Sequence, residues 1–191
     1  FYEKFFRDIQ NQYQLDGVTG LLLMFPKHCI HVVETSDEVI LDIAKDLLRQ
    51  QTATEEAHFQ MSKILVVSHN IPHRLYQYWS YRTLDIEAAK IDDYEPSSDV
   101  EEVVGEVLTQ LLQLGVYLSK QPKATKNTGD SLHESKPELL PDQAVLSYFI
   151  ENDLRCLVTL PQIINTYANP FDVVLASEMT WPMPIRLFPY N

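Results

Sequence analysis

The run 16–34 constrains the fold more than any other part of this 191-residue chain. It holds two short apolar segments, Val18–Phe25 and His28–Glu34, separated by a Pro-Lys pair. Apolar runs of this length are typical of strands, and a proline between them marks a turn. Gly17 and Gly20 mark places where the backbone bends tightly or packs closely. The run therefore predicts a β-hairpin.

Helical patterns flank this hairpin on both sides. Residues 1–13 place apolar side chains three or four positions apart with charged residues between them, which predicts an amphipathic helix. Thr35 followed by Glu38 fits a capping box, which predicts a helix with Thr35 as its N-cap. Residues 50–59 are polar and predict a loop.

The later elements follow from similar signals. The run Ser98–Glu101 fits a second capping box and predicts a helix that ends near Ser119. Its apolar positions, Leu112 and Val116 among them, predict a long buried face. The other predicted elements are a buried strand at Met61–Ser68, a turn at Asn70–His73, a last strand at Tyr76–Ile86, and helices at Pro141–Asp153 and Leu160–Tyr167.

The order helix, strand, strand, helix, strand, strand predicts an α+β fold with a ferredoxin-like sheet. Such a sheet needs one more strand before the first helix, and we expect that strand upstream of residue 1. We predict an α+β domain at 1–90 and a helical extension at 91–191. Within the extension, residues 121–139 have a linker composition, and the tail from Thr180 is rich in proline.

Composition narrows the classes of partner. The formal net charge is −12 and no cluster of Lys and Arg is visible, so we expect neither nucleic acid nor an anionic membrane as a partner. No apolar stretch approaches the roughly 20 residues of a membrane span. The charge is more compatible with a basic protein surface, although an acidic surface most often serves solubility alone.

Cysteine and histidine give no sign of a reactive site. We expect Cys29 and Cys156 to be reduced and buried, in a cytoplasmic protein. His28 and His31 face opposite sides of a strand, and the pair His69 and His73 has no obvious third ligand, so we expect no metal. A strand cysteine two residues from a histidine is far more often packing than a nucleophile. We therefore expect no catalytic residues and no enzyme activity.

Three separated motifs carry a family resemblance. They are the Gly-Val-Thr-Gly-Leu-Leu-Leu run at Gly17–Leu23, the Val-Val-Glu run at Val32–Glu34, and an Arg, aromatic, Trp, Ser pattern within Arg74–Tyr81. Together they resemble the BLUF family of flavin-binding blue-light sensors, over residues 1–85. The resemblance implies a ferredoxin-like sheet with two helices on one face and a flavin between them.

The positions that would hold the flavin depart from the family's pattern. The asparagine, glutamine and methionine of the family correspond here to Tyr13, His31 and Tyr81, and the tryptophan to Trp79. The first two positions are 31 − 13 = 18 residues apart, which is the family's spacing. Both amides supply a donor and an acceptor to a flat heterocycle, whereas tyrosine supplies one hydroxyl and a bulky ring. We therefore expect no bound cofactor, with Tyr13 and His31 filling the former pocket.

The aromatic residues of the last predicted strand allow two interpretations. Alternation places Trp79 and Tyr81 on one face and Tyr78 on the other. Packing in the core and a protein interaction surface both fit this cluster, because Tyr and Trp dominate binding hot spots.

These observations favour a structural or adaptor protein held by protein partners in a large cytoskeletal assembly, such as an axoneme. The long apolar helix and the apolar tail Trp181–Tyr190 would suit such docking. The run Phe5–Gln12 also resembles a germ-cell member of the same fold family, which implies a sperm-flagellar or ciliary location. The alternatives are a flavin-based light or redox sensor and an enzyme of unknown type.

Overall fold

The computed structural model describes residues 17–52, 59–84, 94–96, 98–120 and 136–169, with Val174 and Met179 as single positions. Its elements in chain order are β1 (Thr19–Met24), β2 (Cys29–Glu34), α1 (Asp37–Thr52), β3 (Lys63–Ile64), β4 (Trp79–Thr83), α2 (Val100–Ser119), a 3-10 turn (Pro137–Leu139), α3 (Gln143–Glu151), β5 (Val158–Thr159) and α4 (Leu160–Ala168). The predicted helix at 1–13, most of the linker and the tail from Thr180 lie outside the described residues. The α+β class is as predicted.

The hairpin forms the centre of a three-stranded sheet with the order β2-β1-β4. Strands β1 and β2 are antiparallel, in a register that runs from Thr19 opposite Glu34 to Met24 opposite Cys29. Strand β4 pairs with the other edge of β1 and runs parallel to it. This small mixed sheet confirms the predicted hairpin and last strand, and it is consistent with a ferredoxin-like arrangement.

Gly20 allows the hairpin to form with this register. Its φ of +146° lies outside the range that other residues adopt readily. A Cβ atom at this position would stand 2.0 Å from the carbonyl oxygen of Val32 on the neighbouring strand. Gly17 differs, because a Cβ atom there would have no heavy atom of the described residues within 4 Å. The close approach predicted from the two glycines is therefore confirmed at Gly20 alone.

Alternation along β1 divides its side chains between two apolar layers. Leu21 and Leu23 point to one side, the α2 face, and Val18 and Leu22 point to the other, the α1 face. The buried members of the α1 face are Val18, Leu22, Val39 and Ile43. The buried members of the α2 face are Leu21, Leu23, Phe25, Ile30, Tyr76, Leu84, Val103, Val104, Val107, Leu111, Leu114, Leu140, Val145, Leu146, Phe149 and Leu157.

The sheet is thus covered on both sides by helices, with α1 on one face and α2 and α3 on the other. The α2 face draws buried residues from both sides of the predicted boundary at residue 90. Burying one large aliphatic side chain contributes roughly 1.5–3 kcal/mol, so this layer supplies most of the hydrophobic stabilisation among the described residues.

The buried strand predicted at Met61–Ser68 is wrong in its extent and its surroundings. Only Lys63 and Ile64 are in strand conformation, and they pair with β5 rather than with the central sheet. Val66 and Val67 follow this short strand and are each 45% exposed. The edge of β1 away from β2 is already occupied by β4, so this apolar run does not take the position beside β1.

Both predicted capping boxes are also wrong. Helix α1 begins at Asp37, and neither the Thr35 nor the Ser36 hydroxyl has a hydrogen-bond partner among the residues that the structure describes. The N-cap of α2 is Asp99, whose side chain makes no capping hydrogen bond. Both helices carry two acidic residues in the first turn, and negative charge stabilises the N-terminal end of a helix without a cap.

The last two helices agree with the prediction more closely. Helix α3 begins after Asp142, whose carboxylate accepts the Ala144 N–H at 3.0 Å, so Pro141 precedes the helix instead of opening it. At the start of α4, the Gln162 side chain accepts the Thr159 N–H at 2.9 Å. No helix in the described part of the chain is both long and apolar enough to cross a bilayer.

The cysteines differ from the expectation of burial. Cys29 and Cys156 are both free and both exposed. Cys29 is the first residue of β2, at the end of the strand that adjoins the turn. Neighbouring atoms still exclude enough water from the sulfur to raise the pKa of the Cys29 thiol.

Candidate functional site

The structure brings His31 and Trp79 together on the α1 face. The indole Nε1–H donates a hydrogen bond to His31 Nε2 at 2.9 Å. The two rings meet edge to face, with centroids 6.1 Å apart and planes at 76°. These residues lie on β2 and β4, with β1 between them. Trp79 is opposite Gly20, so no side chain of β1 stands beside the indole at that position.

Burial fixes the protonation state of His31. Loss of hydration lowers the pKa of His31 to about 4, so its imidazole is neutral at pH 7. Because Nε2 accepts the indole hydrogen, the ring hydrogen must be on Nδ1. A general base works best when its pKa lies near the working pH. His31 is therefore suited to hold Trp79 in place and poorly suited to take protons at pH 7.

Tyr81 extends this pair toward solvent. Its ring is tilted against that of Trp79 with a centroid distance of 6.0 Å, and its side chain is 44% exposed. Tyr78 is 56% exposed, whereas Tyr76 is buried among the residues of the α2 face. The predicted aromatic cluster thus contains both core and surface residues.

The site residues are therefore placed as follows. His31 and Trp79 are hydrogen-bonded, and Tyr81 stacks at the outer side of Trp79. Tyr13, and with it the predicted contact to His31, lies outside the described residues. The proposal that these two side chains fill one pocket stays a prediction.

Glu34 organises the opposite face of the sheet, and sequence reasoning missed its role. Its carboxylate accepts the Thr19 hydroxyl at 2.8 Å, the Leu75 N–H at 2.8 Å and the Tyr76 N–H at 3.0 Å. Thr19 is the register partner of Glu34, so the hairpin itself sets the first contact. The two backbone contacts fasten the loop before β4 to the end of β2. The sequence did contain one sign of this role: a carboxylate ends an apolar strand, and the hairpin register places a threonine opposite it.

The tethered loop in turn packs against α2. Burial, and secondly the charge of Glu34, raise the pKa of Tyr76 to about 12, and its hydroxyl donates to the Leu111 carbonyl at 3.0 Å. A Cβ atom on Gly115 would stand 2.5 Å from Leu75 Cδ2 and 3.0 Å from Tyr76 Cζ. Gly115 therefore permits the close approach between this helix and the loop.

An open apolar groove lies beside this contact, lined by Leu75, Leu112, Gln113 and Val116. Leu112 is 46% exposed and Val116 is 42% exposed, so the prediction that they belong to a buried face is wrong. The reason is that α2 carries apolar residues around most of its circumference, while only one side contacts the sheet.

The histidines and cysteines form no metal-binding group among the described residues. The described residues contain no group of three or more His, Cys, Asp or Glu side chains placed to hold a metal ion. His69 Nε2 lies 2.7 Å from the Tyr167 hydroxyl, and its Nδ1 lies 3.6 Å from the Asp37 carboxylate. This exposed contact joins the start of α1 to α4.

A family model described as testis-expressed protein 47 matches residues 1–169. The match covers most of the 191 residues and crosses the boundary predicted at residue 90. It agrees with the germ-cell resemblance seen in the sequence. It gives no support to a BLUF-type assignment, which stays a resemblance.

Proposed function

The chain belongs to the testis-expressed protein 47 family, and we propose that it is a non-enzymatic adaptor in male germ cells, held in a sperm-flagellar or other axonemal assembly. The observation that carries this proposal is the pairing of His31 with Trp79. The polar atoms most suitable for contacting a ligand on the α1 face are bonded to each other.

The chemistry of the candidate groups supports a non-catalytic role. A nucleophilic cysteine needs a lowered pKa, and that of Cys29 is raised. A histidine base needs a pKa near 7, and that of His31 is lowered to about 4. Both shifts oppose catalysis at neutral pH.

The surface supports docking to protein. The groove beside Leu75 contains apolar side chains that are exposed and are not part of the core of the described residues. The formal net charge of −12 favours a basic partner and disfavours nucleic acid.

Fractionation of sperm tests the adaptor proposal. We expect the tagged full chain to remain with the detergent-insoluble axoneme and to enter the soluble fraction only when salt removes other axonemal components. A chain that is monomeric and free of partners in native extract would overturn the proposal.

An absorption spectrum of the purified full chain tests the cofactor-free part of the proposal. We expect no band of oxidised flavin, before or after incubation with excess riboflavin, FMN or FAD. Stoichiometric flavin uptake would overturn the adaptor interpretation in favour of a flavin-based sensor.

A further inference from the structure

Helix α2 presents a continuous stripe to solvent. Glu101, Gly105, Thr109, Leu112 and Val116 are all exposed. With 3.6 residues per turn, these positions fall within about 80° of one another around the helix. Their spacings of four, four, three and four residues are those by which one helix packs along another.

The C-terminal end of this stripe is apolar and forms one side of the open groove, whose other side is held in place. Leu112 and Val116 face Leu75 across the open groove. The backbone of Leu75 is held by the Glu34 carboxylate at 2.8 Å. A groove whose wall is already fixed loses little conformational freedom when it is filled, so it is prepared for binding.

Gly105 gives an independent sign of a close neighbour. A glycine inside a helix destabilises it relative to alanine, so its presence needs a reason. At Gly115 that reason is the contact with Leu75, but a Cβ atom at Gly105 would meet no heavy atom within 4 Å in the described part of the chain. The missing side chain on the exposed stripe lets another backbone come near.

Charge decides which occupant fits. The N-terminal end of α2 exposes Glu101, Glu102 and Glu106, and the chain carries a net charge of −12. The first two lie in the first turn, where they also stabilise the helix end, but Glu106 lies beyond it. A parallel second copy would place glutamates against glutamates, and an antiparallel copy would place them against the apolar groove. A basic partner avoids both costs.

We propose that this stripe docks an amphipathic helix of a basic protein partner. Apolar side chains of that helix enter the groove between Leu75 and Val116, and its Lys or Arg side chains face the glutamates. Glu106 precedes Leu112 by six residues, so the nearest basic side chain lies about 9 Å along the axis from an apolar anchor. This inference rests on the proposed adaptor function and names the surface that performs it.

Photo-crosslinking of the full chain in testis extract tests the inference. A benzoylphenylalanine replaces Gln113, and mass spectrometry identifies the crosslinked peptide. We expect a peptide from another protein that is basic and has apolar residues at helical spacing. Crosslinks to residues 170–191 of this chain, to a second copy or to an acidic peptide would each overturn the inference.

A set of variants separates the surface from the function. The double variant L112S/V116S should lower capture of the crosslinked partner at least tenfold, whereas V158S, which changes an exposed valine on β5, should leave capture unchanged. Gly105→Leu should also lower capture at least tenfold while raising the melting temperature, which shows that the variant is folded.

The outcomes distinguish the two proposals. If both surface variants capture the partner as the unaltered chain does, the docking inference fails and the adaptor function stands. If the unaltered chain captures no partner by any surface and is monomeric in extract, the adaptor function fails and the inference fails with it.

Discussion

The two faces of the central sheet differ in what they bury. Among the described residues, the α2 face contains sixteen buried apolar side chains and the α1 face contains four. The thinner layer is the one that holds a hydrogen bond between two ring nitrogens, that of Trp79 and His31. Among the described residues, the apolar packing is therefore unequal, but both faces carry polar contacts: the pair of Trp79 and His31 on the α1 face and the Glu34 carboxylate on the α2 face. The comparison teaches that the two faces differ in the amount of apolar packing around their polar groups.

We expect the largest change in stability from alanine substitutions of two adjacent leucines on β1. Leu23 is fully buried in the α2 face, whereas Leu22 is 4% exposed in the α1 face. We expect Leu23→Ala to lower the free energy of unfolding by about 4 kcal/mol and Leu22→Ala by about 2.5 kcal/mol, since the denser layer leaves the larger cavity. Urea denaturation of the full chain measures both. Equal losses would contradict the difference between the two faces.

Acid should weaken the α1 face first. The pKa of His31 is about 4 in the folded chain against 6.5 in an unfolded one. The unfolded chain therefore binds more protons between these values, and the free energy of unfolding falls as pH drops from 6.5 to 4. The largest loss is 2.5 × 1.36, or about 3 kcal/mol.

Denaturation monitored by tryptophan fluorescence across this pH range measures the effect. His31→Gln is the matched control, because glutamine accepts the indole hydrogen bond but does not titrate. If the free energy of unfolding falls with pH as steeply in this variant as in the unaltered chain, then groups other than His31 cause the loss of stability in acid.

We expect the next largest loss of stability from a change to the Glu34 carboxylate on the α2 face. Both carboxylate oxygens of Glu34 accept hydrogen bonds, from the Thr19 hydroxyl and from the N–H groups of Leu75 and Tyr76. Glu34→Gln replaces one of these oxygens with an NH₂ group, which is itself a donor and cannot accept them. We expect a loss of about 2 kcal/mol, because a buried donor is left without a partner. The control Glu95→Gln, at an exposed position outside the helices and strands, should change stability by less than about 0.5 kcal/mol. Similar effects from both variants would mean that the loop does not depend on its tether.

We expect the smallest change in stability from alanine substitutions of the two glycines on opposite sides of α2. Gly105→Ala should stabilise the chain by about 0.5–1 kcal/mol, because the new methyl group meets no neighbour among the described residues. Gly115→Ala should lose this gain and destabilise the chain, since Leu75 must move away. Thermal melting of both variants measures the difference. Stabilisation by the same amount at both positions would contradict the close packing at Gly115.

The sequence predicted those parts of the fold that depend on neighbours along the chain. The apolar runs on either side of the Pro-Lys turn place β1 and β2 within one residue of their ends, because alternation and a tight turn are local signals. The family resemblance compared His31 and Trp79 with positions of the flavin pocket, but it did not predict the hydrogen bond between them, which joins residues 48 apart in the chain.

The errors concern features that depend on distant neighbours. The apolar run at 64–67 looks like a core strand, but the position beside β1 is taken by β4. Glu34 looks like an ordinary strand end, because its donors at Leu75 and Tyr76 are about forty residues away. Leu112 and Val116 look buried because no local pattern shows which side of an apolar helix meets the sheet.

The parallel pairing of β1 with β4 sets an order for folding. The hairpin closes between Met24 and Cys29, which are 5 residues apart, whereas Gly20 and Trp79 are 79 − 20 = 59 apart. The longer closure costs about 2 kcal/mol more in chain entropy, so the hairpin forms first. Strand β2 ends at Glu34 and β4 ends at Thr83, which is 83 − 34 = 49 residues later, so at 5–20 residues per second the ribosome needs about 2.5–10 s to supply the missing strand. During that interval one edge of β1 is bare, and a nascent chain in this state is a template for aggregation until β4 arrives.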